Sequence, residues 1–174
     1  NNVIIHNFVV LYDGTEIGDN CEIFDHAVIG RPPKAAGILI SKIEENLPPV
    51  TIGNKTVVGA SAVIYSDCHI GNNVLICDLS SLREGCTVGD NTVIARLVTC
   101  NHHVTIGKNV KIIDVTHITS RTIIEDNVFI NYNCIIGHDC KIGKNTCLSE
   151  RVSLGGNVII EENRTMLGND TYPV

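Results

Sequence analysis

From Ile52 to Ile160 an apolar residue stands at every sixth position of this chain. The series runs Ile52, Val58, Ile64, Ile70, Ile76, Leu82, Val88, Ile94, Cys100 and Ile106, and continues through Ile112 and Ile136 to Leu148, Leu154 and Ile160. Four residues after each comes a small or β-branched side chain, from Thr56, Ala62 and Cys68 to Val152 and Val158. Eighteen consecutive hexads keep both rules. A period of eighteen overlies the first: a tight-turn signature ends in Asn at Asn73, Asn91, Asn109, Asn127, Asn145 and Asn163. Asn tolerates the left-handed backbone region that a sharp corner needs. Six residues per face and three faces per coil give the eighteen, so the chain is expected to wind into a prism of short stacked strands.

The repeat therefore predicts an all-β fold, a left-handed parallel β-helix of about eight coils, with residues 1–174 forming one domain. It begins early, since Ile5, Leu11, Ile17, Ile23 and Ile29 are also six apart, and Ile17-Gly18-Asp19-Asn20 matches the later corners. Ile17 and Ile52 are separated by one coil plus seventeen residues. That excess, marked by Arg31-Pro32-Pro33-Lys34 and Leu47-Pro48-Pro49, reads as a loop thrown out over residues 31–50, because Pro cannot donate to a strand ladder. Long loops in compact domains tend to carry function, here as a substrate cover or an arm between subunits. After Ile160 the rule weakens at Arg164, and the tail 165–174 is expected to unwind or cap the prism. With no Trp and three Phe, the core is expected to be stacked Ile and Val, which suit pleated strands.

The net charge of −6 gives no basic footprint for nucleic acid. No run of eighteen apolar residues and no secretory signal is seen, so no membrane insertion and a cytoplasmic location are expected. Of the eight cysteines, Cys21, Cys68, Cys86, Cys134 and Cys140 fall on small inward positions and Cys100 on a large one, where Cys acts as a small hydrophobe. There is no CxxC pair, and no metal site is expected.

The eighteen-residue period is also a ruler, because residues eighteen apart lie above one another. Among the seven histidines, His138 stands out. It lies in Ile136-Gly137-His138-Asp139-Cys140, read as following a corner-free face, and Gly156 falls one coil above it. An imidazole can take a proton from an attacking amine or hydroxyl near neutral pH. A bare glycine N–H can approach a developing oxyanion closely. His138 as general base, Gly156 as oxyanion donor and Asp139 as assistant make a workable acyl-transfer set. His102 and Ser120 fall below His138 at eighteen-residue steps and extend a polar column. Asn131, Asn133, Glu150 and His117 are further candidates for binding substrate, the last two at a cleft with a neighbouring subunit.

The hexads, the His138-Asp139 pair and Gly156 one coil on resemble the left-handed β-helix acyltransferases. One branch is the UDP-N-acetylglucosamine acyltransferases of lipid A synthesis, whose loop start resembles Ala27-Val28-Ile29-Gly30-Arg31-Pro32-Pro33. The other is the nucleotide-amino-sugar N-acetyltransferases, whose His-acid pair and following run resemble His138-Asp139 and Asn157-Val158-Ile159-Ile160. The stretch Ile124 to Ile130 is similar to 3-amino-sugar N-acetyltransferases. The resemblance implies a homotrimeric transferase that moves an acyl group from acetyl-CoA or another acyl-CoA to the amine of a nucleotide sugar, with no bound cofactor. Acyl carrier protein as donor, with an amine or hydroxyl acceptor, is the alternative. The closing Asp-Val-Pro-Pro segment and long helical tail of the lipid A enzymes are not present in this sequence.

Two other readings use the same repeat. A γ-class carbonic anhydrase shares the fold and pairs two metal-binding histidines two coils apart, as His102 and His138 are spaced. Its third histidine would fall at Gly143, so the triad fails. A non-catalytic scaffold subunit would need neither His138 nor Gly156.

Overall fold

A computed structural model describes residues 2–35 and 43–168 together with the backbone of the strand Thr171–Tyr172. Nearly all of its strands are two residues long, and they alternate with four-residue corners. Every third strand pairs, in parallel and eighteen residues apart outside the insertion, so the chain builds three sheets at once. Sheet I runs from Ile4–Ile5 to Thr165–Met166 and has nine strands; sheet II runs from Val10–Leu11 to Thr171–Tyr172 and has nine; sheet III runs from Glu16–Ile17 to Ile159–Ile160 and has eight. Each corner is named here for the sheet it follows.

The coils number close to nine, rather than about eight. The difference lies at the C-terminal end. Thr165–Met166 pairs in register with Cys147–Leu148, and Thr171–Tyr172 with Ser153–Leu154, so the tail continues the ladder instead of unwinding. Ladder bonds need only backbone, as when the Cys147 N–H donates to the Arg164 carbonyl at 2.8 Å. An exposed Arg164 side chain is tolerated because no described coil covers it.

The second residue of each strand points inward. Ile64, Leu82, Cys100, Ile118, Ile136 and Leu154 stack one above another on sheet II, all buried. Full burial of such a side chain is worth roughly 1.5–3 kcal/mol, and sheets I and III repeat the stack. The small inward position has a second job. Thr56, Thr92 and Thr122 donate from Oγ1 to the carbonyls of Gly71, Gly107 and Gly137 at 2.9–3.0 Å. Cys68, Cys86, Cys134 and Cys140 donate from Sγ to the matching carbonyls of Arg83, Asn101, Ser149 and Gly155 at 3.1–3.2 Å. A corner carbonyl facing the core needs such a partner. The cysteines expected to be inward are buried, and burial pushes the Cys100, Cys134 and Cys140 thiols up.

Every fully described corner outside the insertion, not one per coil, turns through a residue at positive φ. The sequence signature marks corner III alone, where Asn73, Asn91, Asn109, Asn127, Asn145 and Asn163 sit at φ 54–60°. There the amides also form a ladder, with Asn109 Nδ2 donating to Asn127 Oδ1 and Asn127 Nδ2 to Asn145 Oδ1, both at 3.1 Å. Corner I places Leu79, Leu97, Val115, Asn133 and Arg151 in the same conformation, and corner II places Asp67, Gly85, His103, Arg121, Asp139 and Asn157 there.

The insertion replaces one turn of corner II. It leaves after the strand Val28–Arg31 of sheet II, and the chain re-enters at Thr51–Ile52 of sheet III. Within residues 31–50, positions 36–42 lie outside the described residues. The returning arm runs along corner II. The Asp67 N–H donates to the Pro48 carbonyl at 2.7 Å, and Glu44 Oε1 lies 3.3 Å from His103 Nε2, two coils further on.

Candidate active site

Corner II is where the candidate chemistry gathers. Strand register puts Ile118 beside Ile136, and Ile136 beside Leu154. The second corner residues that follow therefore stack as Glu84, His102, Ser120, His138 and Gly156. The third residues stack as Gly85, His103, Arg121, Asp139 and Asn157. His138 thus occupies a corner, rather than following a corner-free face. The same place in the hexad recurs on all three edges, and only backbone φ separates a corner without Asn or Gly from a strand.

At this corner the His138 side chain is exposed and held from one side. Its Nδ1 lies 2.8 Å from Asp139 Oδ2. Asp139 is in turn gripped by Arg121 one coil below, through Nε to Oδ1 and Nη2 to Oδ2, both at 2.7 Å. The guanidinium first, and the imidazole second, hold the Asp139 carboxyl far below the usual carboxylate range. An ionised carboxylate only accepts, so in the neutral ring Nδ1 carries the proton and Nε2 keeps its lone pair. Gly156 lies directly against that ring. A methyl group at residue 156 would stand 2.7 Å from both Nε2 and Cε1 of His138. Glycine is needed here for the close approach, and the Asn157 N–H donating to the His138 carbonyl at 2.7 Å locks the two coils together.

Capping of a second-residue N–H by a side chain one coil on recurs on corners III and I. At corner III the second-residue N–H is often capped by a side chain one coil on: Asn54 by Asn72, Asn72 by Asp90 and Lys108 by Asp126, at 2.8–2.9 Å. At corner I, Asp78 and Asp114 cap Ala60 and Arg96 in the same way. Corner II has no such acceptor above Ser120 or His138, because His138 turns to Asp139 and Gly156 has no side chain. Among the described residues, the N–H groups of Ser120, His138 and Gly156 donate no hydrogen bond. The Gly156 N–H, on the glycine that lies against the His138 ring, is thus an unclaimed backbone donor of the kind an oxyanion needs.

The remaining sequence candidates divide between corners. His102 and Ser120 lie on corner II below His138, as the ruler predicts. His102 makes an edge contact with His103, ring centroids 5.3 Å apart, and partial burial, with the charge of His103 behind it, pulls its pKa down. Below it Glu84 is nearly buried and held by Arg83 at 2.7 and 2.9 Å, and Arg31 and Arg83 flank the Tyr65 ring. Asn131, Asn133 and Glu150 do not join His138 within the chain. They belong to corner I, where Asn133 holds a positive φ and Asn131 Nδ2 donates to Glu150 Oε2 at 3.4 Å. The two polar residues read as near the site were close in sequence, but one six-residue step moves a residue to a different edge. His117 stands on the outer face of sheet II, one strand before Ser120, with Nδ1 against the Thr99 hydroxyl. Sequence reasoning missed Arg121, although an opposite charge eighteen residues before Asp139 was a usable signal. A cleft of about 1270 Å³ opens elsewhere, between Tyr12, Asp13, Pro32, Lys34, Glu44 and Ser66 at the base of the insertion. None of its lining residues is a histidine.

The chain belongs to the bacterial transferase hexapeptide family: the six-repeat model of that family matches residues 1–31, 67–102 and 121–156, more than half of its length. That family is built on the left-handed β-helix. Among solved structures, a UDP-N-acetylglucosamine acyltransferase superposes with a TM-score of 0.63 at 13% identity, covering 96% of this chain and 67% of the other. The corresponding enzyme of Bacteroides fragilis gives 0.50 at 18% identity, covering 95% and 57%. That of Francisella novicida gives 0.40 at 19%, covering 94% and 56%. The chain therefore spans little more than half to two thirds of the length of these structures, and at such identities the likeness is one of fold. No curated protein matches it in sequence.

Proposed function

We propose that the protein is an acyltransferase that moves an acyl group, in our reading acetyl, from a coenzyme A thioester to the amine of a nucleotide-linked amino sugar. The observation that carries this is the His138 imidazole, with Nδ1 on Asp139 and Nε2 against Gly156, whose N–H no described residue accepts. The amine nitrogen attacks the thioester carbonyl carbon while Nε2 of His138 takes its proton. The carbonyl oxygen becomes an oxyanion, which the Gly156 N–H receives; one such donor is worth on the order of 3 kcal/mol. The tetrahedral intermediate then collapses, the carbon–sulfur bond breaks, and the imidazolium returns the proton to the leaving thiolate. Asp139 fixes the tautomer throughout. The structures that share the fold are named as UDP-N-acetylglucosamine acyltransferases, which supports a nucleotide sugar as acceptor; a carrier-protein thioester is the alternative donor.

Corner I of one subunit and corner II of another would complete the pocket in a homotrimer. Asn131, Asn133 and Glu150 lie in or next to the coil of His138 but on another edge, so only a neighbouring copy brings them to it, and His117 faces the same cleft. Among the described residues no helix is long and apolar enough to cross a membrane, and the acidic balance favours small-molecule substrates over nucleic acid.

The test is a thiol-release assay over acetyl-CoA, longer acyl-CoAs and acyl carrier protein, each with a set of nucleotide amino sugars and their hydroxyl counterparts. Acetyl-CoA with an amino sugar should turn over, and His138→Ala should lower turnover by ~10²-fold or more. Turnover unaffected by His138→Ala would remove it as the base. No acyl transfer with any donor would favour a scaffold.

A further inference from the structure

We propose that Arg121 is a positioning residue for the base: its fork on Asp139 holds the carboxylate in the one orientation that accepts the His138 Nδ1–H, and offsets its charge. The consequence for turnover rests on the acyl-transfer reading, but the effect on the imidazole does not.

The geometry is set by the repeat. Arg121 and Asp139 are the third residues of corner II on successive coils, with φ of 57° and 58°. Their N–H groups donate to the His102 and Ser120 carbonyls at 3.1 and 3.0 Å, so the two backbones are held one coil apart, about 4.8 Å. From there the guanidinium reaches up and takes both carboxylate oxygens. A bidentate fork fixes the carboxylate plane as well as its distance. Oδ2 carries two donors at once, Arg121 Nη2 at 2.7 Å and His138 Nδ1 at 2.8 Å. Rotating the carboxylate away from the imidazole therefore means breaking the fork. Left alone, a partly exposed aspartate on a corner has two oxygens that water competes for.

The comparison within the molecule is Arg96 and Asp114 on corner I. There Asp114 Oδ2 takes Arg96 Nη2 at 2.8 Å and Oδ1 takes the Arg96 N–H at 2.9 Å. No imidazole joins that pair, and it works as a link between coils. The pair at corner II differs in having spent both oxygens on side chains, one of them shared with His138.

The fork also sets the charge that His138 feels. Among the described groups, Asp139 is the charged one bonded to the imidazole, and Arg121 the one bonded to Asp139. Ser120 below and Gly156 and Asn157 above are neutral, and the Cys140 thiol donates inward to the Gly155 carbonyl at 3.1 Å. A bare carboxylate at Nδ1 would favour the imidazolium, which has no lone pair with which to accept a proton. A carboxylate already neutralised by arginine orients the ring while leaving Nε2 free to act as base.

The test uses the full chain with labelled histidine, reading the His138 ring by long-range proton–nitrogen NMR as a function of pH. In the parent protein the neutral ring should carry its proton on Nδ1. In Arg121→Gln the tautomer preference should weaken. Arg121→Lys keeps the charge without the fork, so the tautomer should loosen there too. In turnover, Arg121→Gln should lower kcat about tenfold with KM within about twofold. An imidazole unchanged in tautomer in both variants, with only thermal stability reduced, would overturn the proposal and leave Arg121 as a link between coils. A loosened tautomer in a protein with no acyl transfer would uphold the positioning role and sink the acyl-transfer reading instead.

Discussion

Val115 is the residue whose conformation its own side chain opposes most. It sits at φ 63° on corner I, half exposed, and a β-branched side chain in the left-handed region is a steric outlier. Val115→Asn should therefore stabilise the protein by about 1 kcal/mol, read as a higher denaturant midpoint with an unchanged slope, whereas Val115→Ile should gain nothing. Gly156 is the opposite case. Its φ permits an L-residue, so Gly156→Ala should cost little stability, but the added methyl would displace the His138 ring. Turnover should fall by roughly 10²-fold while the unfolding midpoint holds; full activity in this variant would place the chemistry elsewhere. These residues also show where the sequence was readable. His138 and Gly156 could be paired because eighteen-residue spacing translates directly into contact. Asn131 and Asn133 could not be placed by nearness in sequence, because five or seven residues from His138 is another edge of the prism. Leu79, Val115 and Arg121 carry no turn chemistry, so corners I and II were silent while the Asn column of corner III announced itself.

At the scale of the hexad, the inward small position is set by hydrogen bonding as much as by size. Thr122 is fully buried, donates to the Gly137 carbonyl at 2.9 Å and accepts the Cys140 N–H at 3.4 Å. Thr122→Val keeps shape and removes the hydroxyl, leaving a buried carbonyl without its partner. The expected cost is about 1–3 kcal/mol, measured by equilibrium unfolding, and Thr122→Ser should recover much of it. A neutral Thr122→Val would show that the carbonyl finds another donor. The pattern of small residues was plain in the sequence, and the burial of Cys21, Cys68, Cys86, Cys100, Cys134 and Cys140 followed from it. What the pattern did not reveal is why Thr, Cys and Ser recur there in place of Ala, since a hydropathy period records only which way a side chain points. The same limit explains the tail: Arg164 breaks the period, yet the ladder continues because strand pairing uses the backbone.

Over the whole molecule the coils are nearly independent units that touch only their neighbours, so length can change without changing the fold. The insertion and His138 share corner II although more than eighty residues separate them. The arm of the insertion reaches as far as His103, two coils short of Asp139. This arrangement gives a test of whether the insertion belongs to the site. Removing residues 74–91 deletes one whole coil and leaves every downstream corner on its original edge. Removing residues 74–79 deletes one third of a coil and rotates everything after it by one face, carrying His138, Asp139 and Gly156 together to the edge of corner I while the insertion stays on corner II. Both proteins should keep a β-sheet circular dichroism spectrum, because the inward and outward residues still alternate and each strand still meets a partner. If the insertion covers the substrate, the eighteen-residue deletion should retain measurable acyl transfer and the six-residue deletion should lose it, despite an intact His138–Asp139–Arg121 set in each. Equal activity in the two would separate the insertion from the chemistry and assign its arm to packing along the edge.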